Sequence, residues 1–432
     1  MNPARLLAVR SLVSIQKSAR YVNLELDSQI KKAQLSERDT ALFTALVYGV
    51  IEREITLNHY ISQFCNRKGR ALSPFLRATM QCGLYQLCYM NSIPVHAVLY
   101  ESAEIAKVSE QTAGAKLVTA VLHAFLRAKE NGADLFSSLK GTELKSVIYS
   151  IPEWMIRLWE TGYGIQRAEE ICQSFQEPAA TCLHTNTLKV NTETLCRQLN
   201  DAGVDATVHP EHKHLLLLNG SHGDVRRLPG YEDGLFFAQD YSSAMASAAP
   251  DVKPGELVAD ICAAPGGKSF ALAIAMQNKG VIYSSDLHAN RVRLIDEGAK
   301  RLGIDIIQTS ARDARQSPEE LLGKMDCVLC DVPCSGLGIL AKKPDLRHKK
   351  PEEISGLPKI QGEILTEGAR LLKTSGRLVY STCTLNPQEN EQVVERFLAE
   401  NPTFKPLGEP TTLFPKRGEC DGFFIATMEK QR

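Results

Sequence analysis

The chain has 432 residues, of which 44% are hydrophobic and 23% are charged, a composition typical of soluble, folded proteins with several domains. Lys plus Arg and Asp plus Glu number 50 each, so the zero net charge excludes a global attraction to nucleic acid, and any such attraction must be local. No apolar run approaches the ~20 residues of a membrane span, and twelve cysteines without a signal-peptide core predict free thiols in a reducing cytoplasm.

Residues 1–130 are predicted to form an all-α domain. Apolar side chains recur there at helical spacing, for example at Leu42, Leu46 and Val50, and strand-like alternation is scarce. On charge alone, this mildly basic region favours a solvated helical face over an RNA contact surface.

Residues 131–240 have a different pattern. Short strand candidates at 181–187 and 215–218 lie on either side of a predicted helix at 192–202. We therefore expect a small α+β module in this middle region, and its sequence carries no recognisable chemistry.

From residue 241 to residue 432, apolar strands alternate with helices, which is typical of a parallel, doubly wound, Rossmann-like α/β domain. The predicted strands include 257–261, 281–284, 304–308, 327–330 and 377–380. Ligands of such sheets bind at the carboxyl ends of the strands, so polar residues at that edge are candidates for a site. These candidates are Asp260, Asp286, Asp331 and Cys383.

The loop CAAPGGKS, at 262–269, follows the first of these strands and ends like a phosphate-binding P-loop. Cys262 replaces the first glycine of that pattern, and Pro265 has no N–H to donate to a phosphate. Asp331, at the end of a later strand, stands where a nucleotide triphosphatase holds its metal ion. A P-loop-like NTPase is therefore an alternative interpretation, with one half of its signature damaged.

Two acids favour S-adenosylmethionine as the ligand of this loop. Asp286 follows Gly267 by about 20 residues, the spacing at which an acid binds ribose hydroxyls. A carboxylate there disfavours a neighbouring phosphate, and Asp313, after the third strand, is placed to accept from an adenine amino group. The alternative is that these acids only cap helices.

The segment DVPC, at 331–334, contains the groups that methylation of cytosine at C5 requires. C5 is barely nucleophilic, so a thiolate must first add to C6, after which C5 can accept a methyl group. A carboxyl group near N3 and N4 stabilises charge that develops on the ring, and Asp331 is placed for that role. On chemistry alone, Cys334 is the candidate nucleophile.

Cys327, Cys330 and Cys334 form a partial zinc pattern. A spacing of three within a strand places Cys327 and Cys330 on opposite faces, and no partner His or Cys lies close in sequence. We therefore predict small buried side chains and no metal site.

Three long segments resemble the Sun family of RNA cytosine-C5 methyltransferases: DICAAPGGKS (260–269), DVPCSGLG (331–338) and YSTCTLNPQENE (380–391). DGFFIA (421–426) is similar to the last strand of that family. Near the N-terminus, ERDTALFTALVYGVIE (37–52) and PVHAVLYESAEIAKV (94–108) resemble a NusB-like RNA-binding helical domain. Over nearly the whole chain, the segments together resemble the bacterial enzymes that methylate 16S rRNA of the small ribosomal subunit.

The resemblance implies that Cys383, in the Thr-Cys motif, attacks C6, and that Cys334 helps the methylated product to leave. It also implies that Asp331 faces the base. The cofactor, S-adenosylmethionine, is then expected at the loop and the acids that follow it, which are Cys262, Ala263, Ala264, Pro265, Gly266, Gly267, Lys268, Asp286, Asp313 and Asp331.

A basic strip after the Pro-Cys motif is predicted to contact RNA, because phosphate attraction is then concentrated where it is used. Its members are Lys342, Lys343, Arg347, Lys349 and Lys350. The family often has a basic residue where this chain has Ala341. We expect a monomeric cytoplasmic enzyme that acts on small-subunit rRNA without a metal or a membrane. A non-catalytic RNA-binding factor, in which the helical domain does the work, is a further alternative.

Overall fold

The computed structural model describes residues 1–18, 22–65, 71–177, 181–220, 222–416 and 418–431. The chain forms two compact units. The first contains Met1–Glu160 and Lys343–Lys349, and the second contains Thr161–Lys342 and Lys350–Arg432. The predicted fold class is confirmed, with N-terminal helices, a small α+β module and a C-terminal α/β domain. The domain boundaries at residues 130 and 240 stay predictions.

The first unit is built from helices. Their bounds are α1 (Pro3–Ser18), α2 (Val22–Ala33), α3 (Glu37–Glu52), α4 (Glu54–Phe64), α5 (Pro74–Tyr89), α6 (Val95–Glu130), α7 (Gly141–Tyr149) and α8 (Glu153–Tyr163), whose last turn belongs to the second unit. Ser36 and Ser73 cap α3 and α5, because each side chain accepts a hydrogen bond from a backbone N–H of the first turn. The predicted apolar stripe is confirmed: Leu46 and Val50 are buried in the core.

Lys343–Lys349 is a late segment of the chain that belongs to the helical unit. It contains a short 3₁₀ helix, Pro344–His348, which packs against α3. Leu346 and Arg347 are buried, and His348 Nε2 lies 2.6 Å from Glu54 Oε2 at the start of α4. Part of the predicted basic strip is therefore a packed element of the first unit.

The middle region forms a four-stranded antiparallel sheet in the order β2-β3-β1-β4. Its strands are β1 (Thr181–Thr185), β2 (Ala206–Val208), β3 (Leu215–Leu218) and β4 (Phe236–Ala238), and its helices are α9 (Ile165–Ser174) and α10 (Thr192–Asp201). Leu195 and Leu199 of α10 pack into its core. The prediction included β1, β3 and α10, whereas β2 and β4, with three residues each, are too short to show alternation.

The C-terminal domain contains an eight-stranded sheet in the order β10-β12-β9-β8-β5-β6-β7, with β11 paired to β12. Its strands are β5 (Leu257–Asp260), β6 (Val281–Asp286), β7 (Ile307–Ala311), β8 (Met325–Asp331), β9 (Leu372–Thr382), β10 (Phe404–Pro406), β11 (Thr411–Leu413) and β12 (Phe423–Lys430). Its helices are α11 (Tyr241–Ala248), α12 (Gly267–Ala275), α13 (Ala289–Leu302), α14 (Pro351–Ile354), α15 (Leu357–Leu371) and α16 (Glu391–Glu400). Strands β5 to β9 are parallel as predicted, and β12 joins β9 antiparallel.

The prediction for the third strand of this sheet is displaced by three residues, since it began at Ile304 and β7 begins at Ile307. Ile304 instead lies two residues after the end of α13, in the turn that caps this helix. Gly303 takes a left-handed backbone there, with φ of 72°, and the Ile304 N–H donates to the Ala299 carbonyl.

The two faces of the large sheet bury separate apolar cores. Cys327 and Leu329 of β8 lie in one core, and Val328 and Cys330 lie in the other. This confirms that Cys327 and Cys330 point to opposite faces. Among the described residues, no helix has both the length and the apolar character that a membrane span requires.

Candidate functional site

The conformation of the loop between β5 and α12 depends on two glycines, one in the loop and one in α13, that leave room for the ring of Phe270. Gly266 has φ of 109°, and a Cβ there would lie 2.4 Å from the ring of Phe270. A Cβ on Gly298 of α13 would meet the same ring, also at 2.4 Å. Phe270 therefore packs between the loop and α13, which fixes the start of α12 at the carboxyl end of β5.

Asp260, at the end of β5, is fully buried beneath this loop. Its Oδ2 accepts from the Ser269 hydroxyl at 2.7 Å, and no described residue hydrogen-bonds its Oδ1. Burial raises the pKa of Asp260 to about 7. A buried oxygen without a partner at the base of a loop is a position where a ligand can supply the missing hydrogen bond.

Asp286, at the end of β6, holds the loop from its other side. Its Oδ2 accepts from the Ala264 N–H at 3.3 Å and lies 3.3 Å from Arg291 Nη1, while its Oδ1 accepts from the His288 N–H. Arg291 also donates to the Ala264 carbonyl at 2.7 Å. Sequence reasoning missed Arg291, because it lies in an ordinary amphipathic helix and no local pattern distinguishes it.

Lys268 points to Asp331 of β8. Its Nζ lies 2.8 Å from Asp331 Oδ2, with the Phe423 ring centroid at 5.1 Å. Burial opposes the charge of Lys268, but Asp331 outweighs it and the pKa of Lys268 is raised. Asp331 Oδ1 accepts from the Ser381 hydroxyl at 2.8 Å. The lysine of the P-loop-like sequence is thus committed to a carboxylate, which does not favour phosphate binding.

Cys334 and Cys383 meet at this same edge of the sheet. Their sulfurs lie 3.2 Å apart, and the two cysteines do not form a disulfide. The contact with Cys383, followed by burial, raises the pKa of Cys334 well above its ordinary value. Within the pair, the protonated form of Cys334 is therefore favoured, and a thiol 3.2 Å from the sulfur of Cys383 is placed to stabilise a thiolate there.

Three predicted site residues are ion-paired or buried in this structure. Both oxygens of Asp313 are bound by the Arg315 guanidinium, and that hydrogen bonding lowers the pKa of Asp313. Lys342 Nζ lies 2.7 Å from both Asp240 and Asp421, a pairing that raises its pKa against the opposing effect of burial.

The third is Arg347, which is buried in the helical unit. In this structure the charge of Lys342 is paired with two carboxylates and Arg347 is buried, so neither side chain is free to reach a phosphate. Lys343 and Lys350 are exposed and Lys349 is half-buried, so their RNA contacts stay predictions. No three described His, Cys, Asp or Glu side chains lie together as a metal site would require.

A buried polar network behind the two cysteines was missed at the level of sequence. Glu389 of the YSTCTLNPQENE segment is at its centre. The carboxylate of Glu389 accepts hydrogen bonds from Ser335, Gln361 and Asn386. The signal was present in that segment, which is unusually rich in amide and carboxyl side chains for a buried turn.

The chain is similar to known proteins over nearly its whole length. The family model for 16S rRNA methyltransferase RsmB/F matches residues 248–429, that for the NusB family matches 2–127, and that for the RsmF/B-like ferredoxin-like domain matches 151–226. The probable ribosomal RNA small subunit methyltransferase B of Bacillus subtilis (strain 168) is 35% identical, covering 98% of each chain.

Two solved structures are also similar. The crystal structure of PH0851 has a TM-score of 0.81 and 26% identity, covering 100% of this chain and 99% of that one. A methyltransferase homolog protein from Pyrococcus horikoshii has a TM-score of 0.59 and 30% identity, covering 66% of this chain and 97% of that one.

Proposed function

The chain belongs to the RsmB/F family of ribosomal RNA small subunit methyltransferases, and from this premise we propose that it methylates C5 of a cytosine in 16S rRNA, with S-adenosylmethionine as methyl donor. The observation that carries the proposal is the pair of thiols, 3.2 Å apart, at the strand edge that also holds Asp331 and the glycine loop. Cytosine C5 chemistry needs a thiol nucleophile, and the site offers one beside a second thiol and a carboxylate.

The residues of the loop fit S-adenosylmethionine. Asp260 Oδ1 is buried without a partner among the described residues. The nearest described atom to a Cβ built on Gly267 is Gln239 Nε2, at 3.9 Å, so the loop leaves space for a ligand. Asp286 offers a carboxylate at the distance along the chain where ribose hydroxyls are bound. When bound, S-adenosylmethionine supplies the methyl group that C5 accepts.

Cys383 is the proposed nucleophile. Its thiolate adds to C6 of the cytosine, and the C5–C6 electron pair becomes available at C5. The thiol of Cys334 stabilises that thiolate before attack, through the contact that raises the pKa of Cys334. Each carboxylate oxygen of Asp331 accepts one hydrogen bond, Oδ1 from Ser381 and Oδ2 from Lys268. Each oxygen therefore has a further lone pair with which it can accept a hydrogen bond from the base.

Cys334 acts in the second half of the reaction. Once the sulfur of Cys383 is bonded to carbon, its negative charge no longer raises the pKa of Cys334, and the Cys334 thiol can then lose its proton to solvent. Cys334 removes the proton from C5, the bonding pair restores the C5–C6 double bond, and Cys383 leaves as a thiolate. A small, polarisable sulfur is suited to both positions.

The test compares the two cysteines. Cys383→Ala should abolish methylation and form no covalent complex, because no nucleophile remains for C6. Cys334→Ala should still attack and accept the methyl group but stall, leaving a denaturant-resistant protein–RNA complex that requires S-adenosylmethionine. Gel electrophoresis of 16S rRNA fragments with each variant measures this, and Cys196→Ala, a half-buried cysteine of the small sheet module, is the matched control.

The reverse pattern, with the stalled complex in Cys383→Ala, would exchange the two roles. Melting curves must show that both variants fold, and small side chains at these positions make large packing losses unexpected.

A further inference from the structure

Glu389 is a carboxylate with no exposed surface, located behind the two cysteines. Its Oε2 accepts from the Ser335 backbone N–H at 2.8 Å and from Gln361 Nε2 at 2.9 Å, and its Oε1 accepts from Asn386 Nδ2 at 2.9 Å. Among the residues that the structure describes, none of these partners is a cation. A buried charge with only neutral donors is costly for the fold, so its presence at this position calls for a function.

The partners of Glu389 flank both cysteines. Ser335 follows Cys334 directly, and Gln361 also donates to the carbonyl of Pro333, which precedes Cys334, at 3.0 Å. Asn386 lies three residues after Cys383, in the turn that carries that cysteine. One carboxylate is therefore bonded to both cysteine loops.

Further contacts connect the same two loops to each other. The hydroxyls of Ser335 and Thr384 lie 2.6 Å apart, and the Gly338 N–H donates to the Cys383 carbonyl at 3.1 Å. Gly338 cannot be enlarged, since a Cβ there would lie 2.9 Å from the Cys383 carbonyl oxygen. The two loops are thus closely packed, and Glu389 is the charged group among their connections.

We propose that Glu389 is a positioning residue that holds Cys334 against Cys383 and places a negative charge behind Cys334. The inference deepens the proposed function and rests on it. Glu389 acts through the backbone on either side of Cys334. Its charge also contributes to the raised pKa of Cys334, after the contact with Cys383 and burial, and so helps to keep the proton on that thiol until attack has occurred. The carboxylate of Asp331 acts on the same thiol in the same direction.

The decisive variant is Glu389→Gln, which keeps the shape of the side chain but replaces one acceptor with an N–H group that faces donors. Because the cysteine loops lose their common anchor, kcat for RNA methylation should fall about 100-fold. The KM for RNA and the Kd for S-adenosylhomocysteine should stay within about threefold, since Glu389 has no exposed surface for either ligand to contact. The pH profile of kcat should move to lower pH by about one unit, because a negative charge next to Cys334 is removed.

Tyr380→Phe is the matched control. Its hydroxyl donates to the backbone carbonyl of Glu389 at 2.5 Å, so the change removes a buried hydrogen bond to the same residue without touching the carboxylate. This variant should keep the pH profile of the wild type. If Glu389→Gln lowers kcat but leaves the pH profile unchanged, its role is only structural and the inference is overturned.

A second measurement separates this inference from the proposed function. Iodoacetamide alkylation of Cys334 and Cys383, followed by mass spectrometry over a pH series, needs no RNA. Glu389→Gln should shift the pH midpoint for Cys334 downward and Tyr380→Phe should not, even if the wild type methylates no cytosine. An inactive wild type overturns the proposed function alone, whereas an unchanged Cys334 midpoint in Glu389→Gln overturns the inference alone.

If Glu389→Gln does not fold, Gln361→Met provides the test. That change removes one donor to the carboxylate and the bond to the Pro333 carbonyl, and it keeps the charge. We expect kcat to fall about tenfold with no shift of the pH profile, since only the anchoring is weakened. An unchanged kcat in a folded Gln361→Met variant would refute the anchoring role.

Discussion

Asp286 is the single residue whose removal should affect cofactor binding most directly, since its buried carboxylate holds the loop through the Ala264 N–H and through Arg291. In Asp286→Asn, the side chain keeps its shape but loses the charge available to ribose hydroxyls and to Arg291. Removing a charge-assisted hydrogen bond costs ~1.5–3 kcal/mol, so the Kd for S-adenosylhomocysteine should rise about 10- to 100-fold. Isothermal titration calorimetry measures this change.

The matched control for this residue is Asp296→Asn. Asp296 lies on the exposed side of α13 and accepts from the Thr309 hydroxyl at 2.7 Å, so the variant loses an equal charge outside the loop. Its Kd should equal that of the wild type. Equal affinity of Asp286→Asn and Asp296→Asn would remove Asp286 from the cofactor site.

At the scale of an element, the short helix Pro344–His348 should dock on the helical unit in a pH-dependent way. The hydrogen bond with Glu54 raises the pKa of His348. Burial alone would raise the pKa of Glu54, but the hydrogen bond with His348 and the charge of His348 act against burial, and the pKa of Glu54 is lowered. The contribution of His348 to stability is complete below its unfolded pKa of about 6.5 and is lost as pH rises through the raised folded value. The contribution of Glu54 is lost only as pH falls through its own lowered pKa.

The pair should therefore stabilise the helical unit near pH 6 and no longer do so at pH 9. Because the His348 side chain is 41% exposed, we expect at most about 1 kcal/mol. The measurement is the difference in Tm between the wild type and His348→Gln at pH 6 and at pH 9. His59→Gln is the control in the same unit. A difference that is equal at pH 6 and pH 9 would contradict an ionic contribution.

At the scale of the whole molecule, the balance of 50 basic and 50 acidic residues means that salt-dependent RNA affinity must come from local clusters. Lys343 and Lys350 are exposed members of the predicted strip, whereas Lys342 is bound by two carboxylates. The double variant Lys343→Gln/Lys350→Gln should lower the slope of log affinity against log salt by about 0.7–0.9 for each phosphate that is no longer neutralised. Filter binding of 16S rRNA fragments between low and moderate salt measures this slope.

The control double variant is Lys279→Gln/Lys324→Gln. Both lysines are exposed and precede strands β6 and β8, at the amino ends of the parallel strands and away from the carboxyl edge. This variant changes the net charge equally, so its slope should match that of the wild type. Equal slopes for the two double variants would show that the strip is a solvated surface.

The sequence by itself determined the chemistry and the order of the elements. The loop at 262–269, the Pro-Cys motif and the Thr-Cys motif are continuous stretches, so their residue types are legible without a fold. Strands β5, β6, β8 and β9 were predicted because apolar runs and the polar residues that end them are local signals. Because an apolar run is a local signal, it also led to the wrong strand start at Ile304, which lies in the turn after α13.

Only the tertiary structure decided which of these residues meet. Cys334 and Cys383 belong to separate loops, and their contact depends on the parallel pairing of β8 with β9, in which Asp331 lies beside Ser381. Packing also paired Lys342 with two carboxylates and buried Arg347, although both are typical surface charges by residue type. The physical reason is that burial and ion pairing depend on neighbours brought together from distant parts of the chain, and a local pattern of charges contains no information about them.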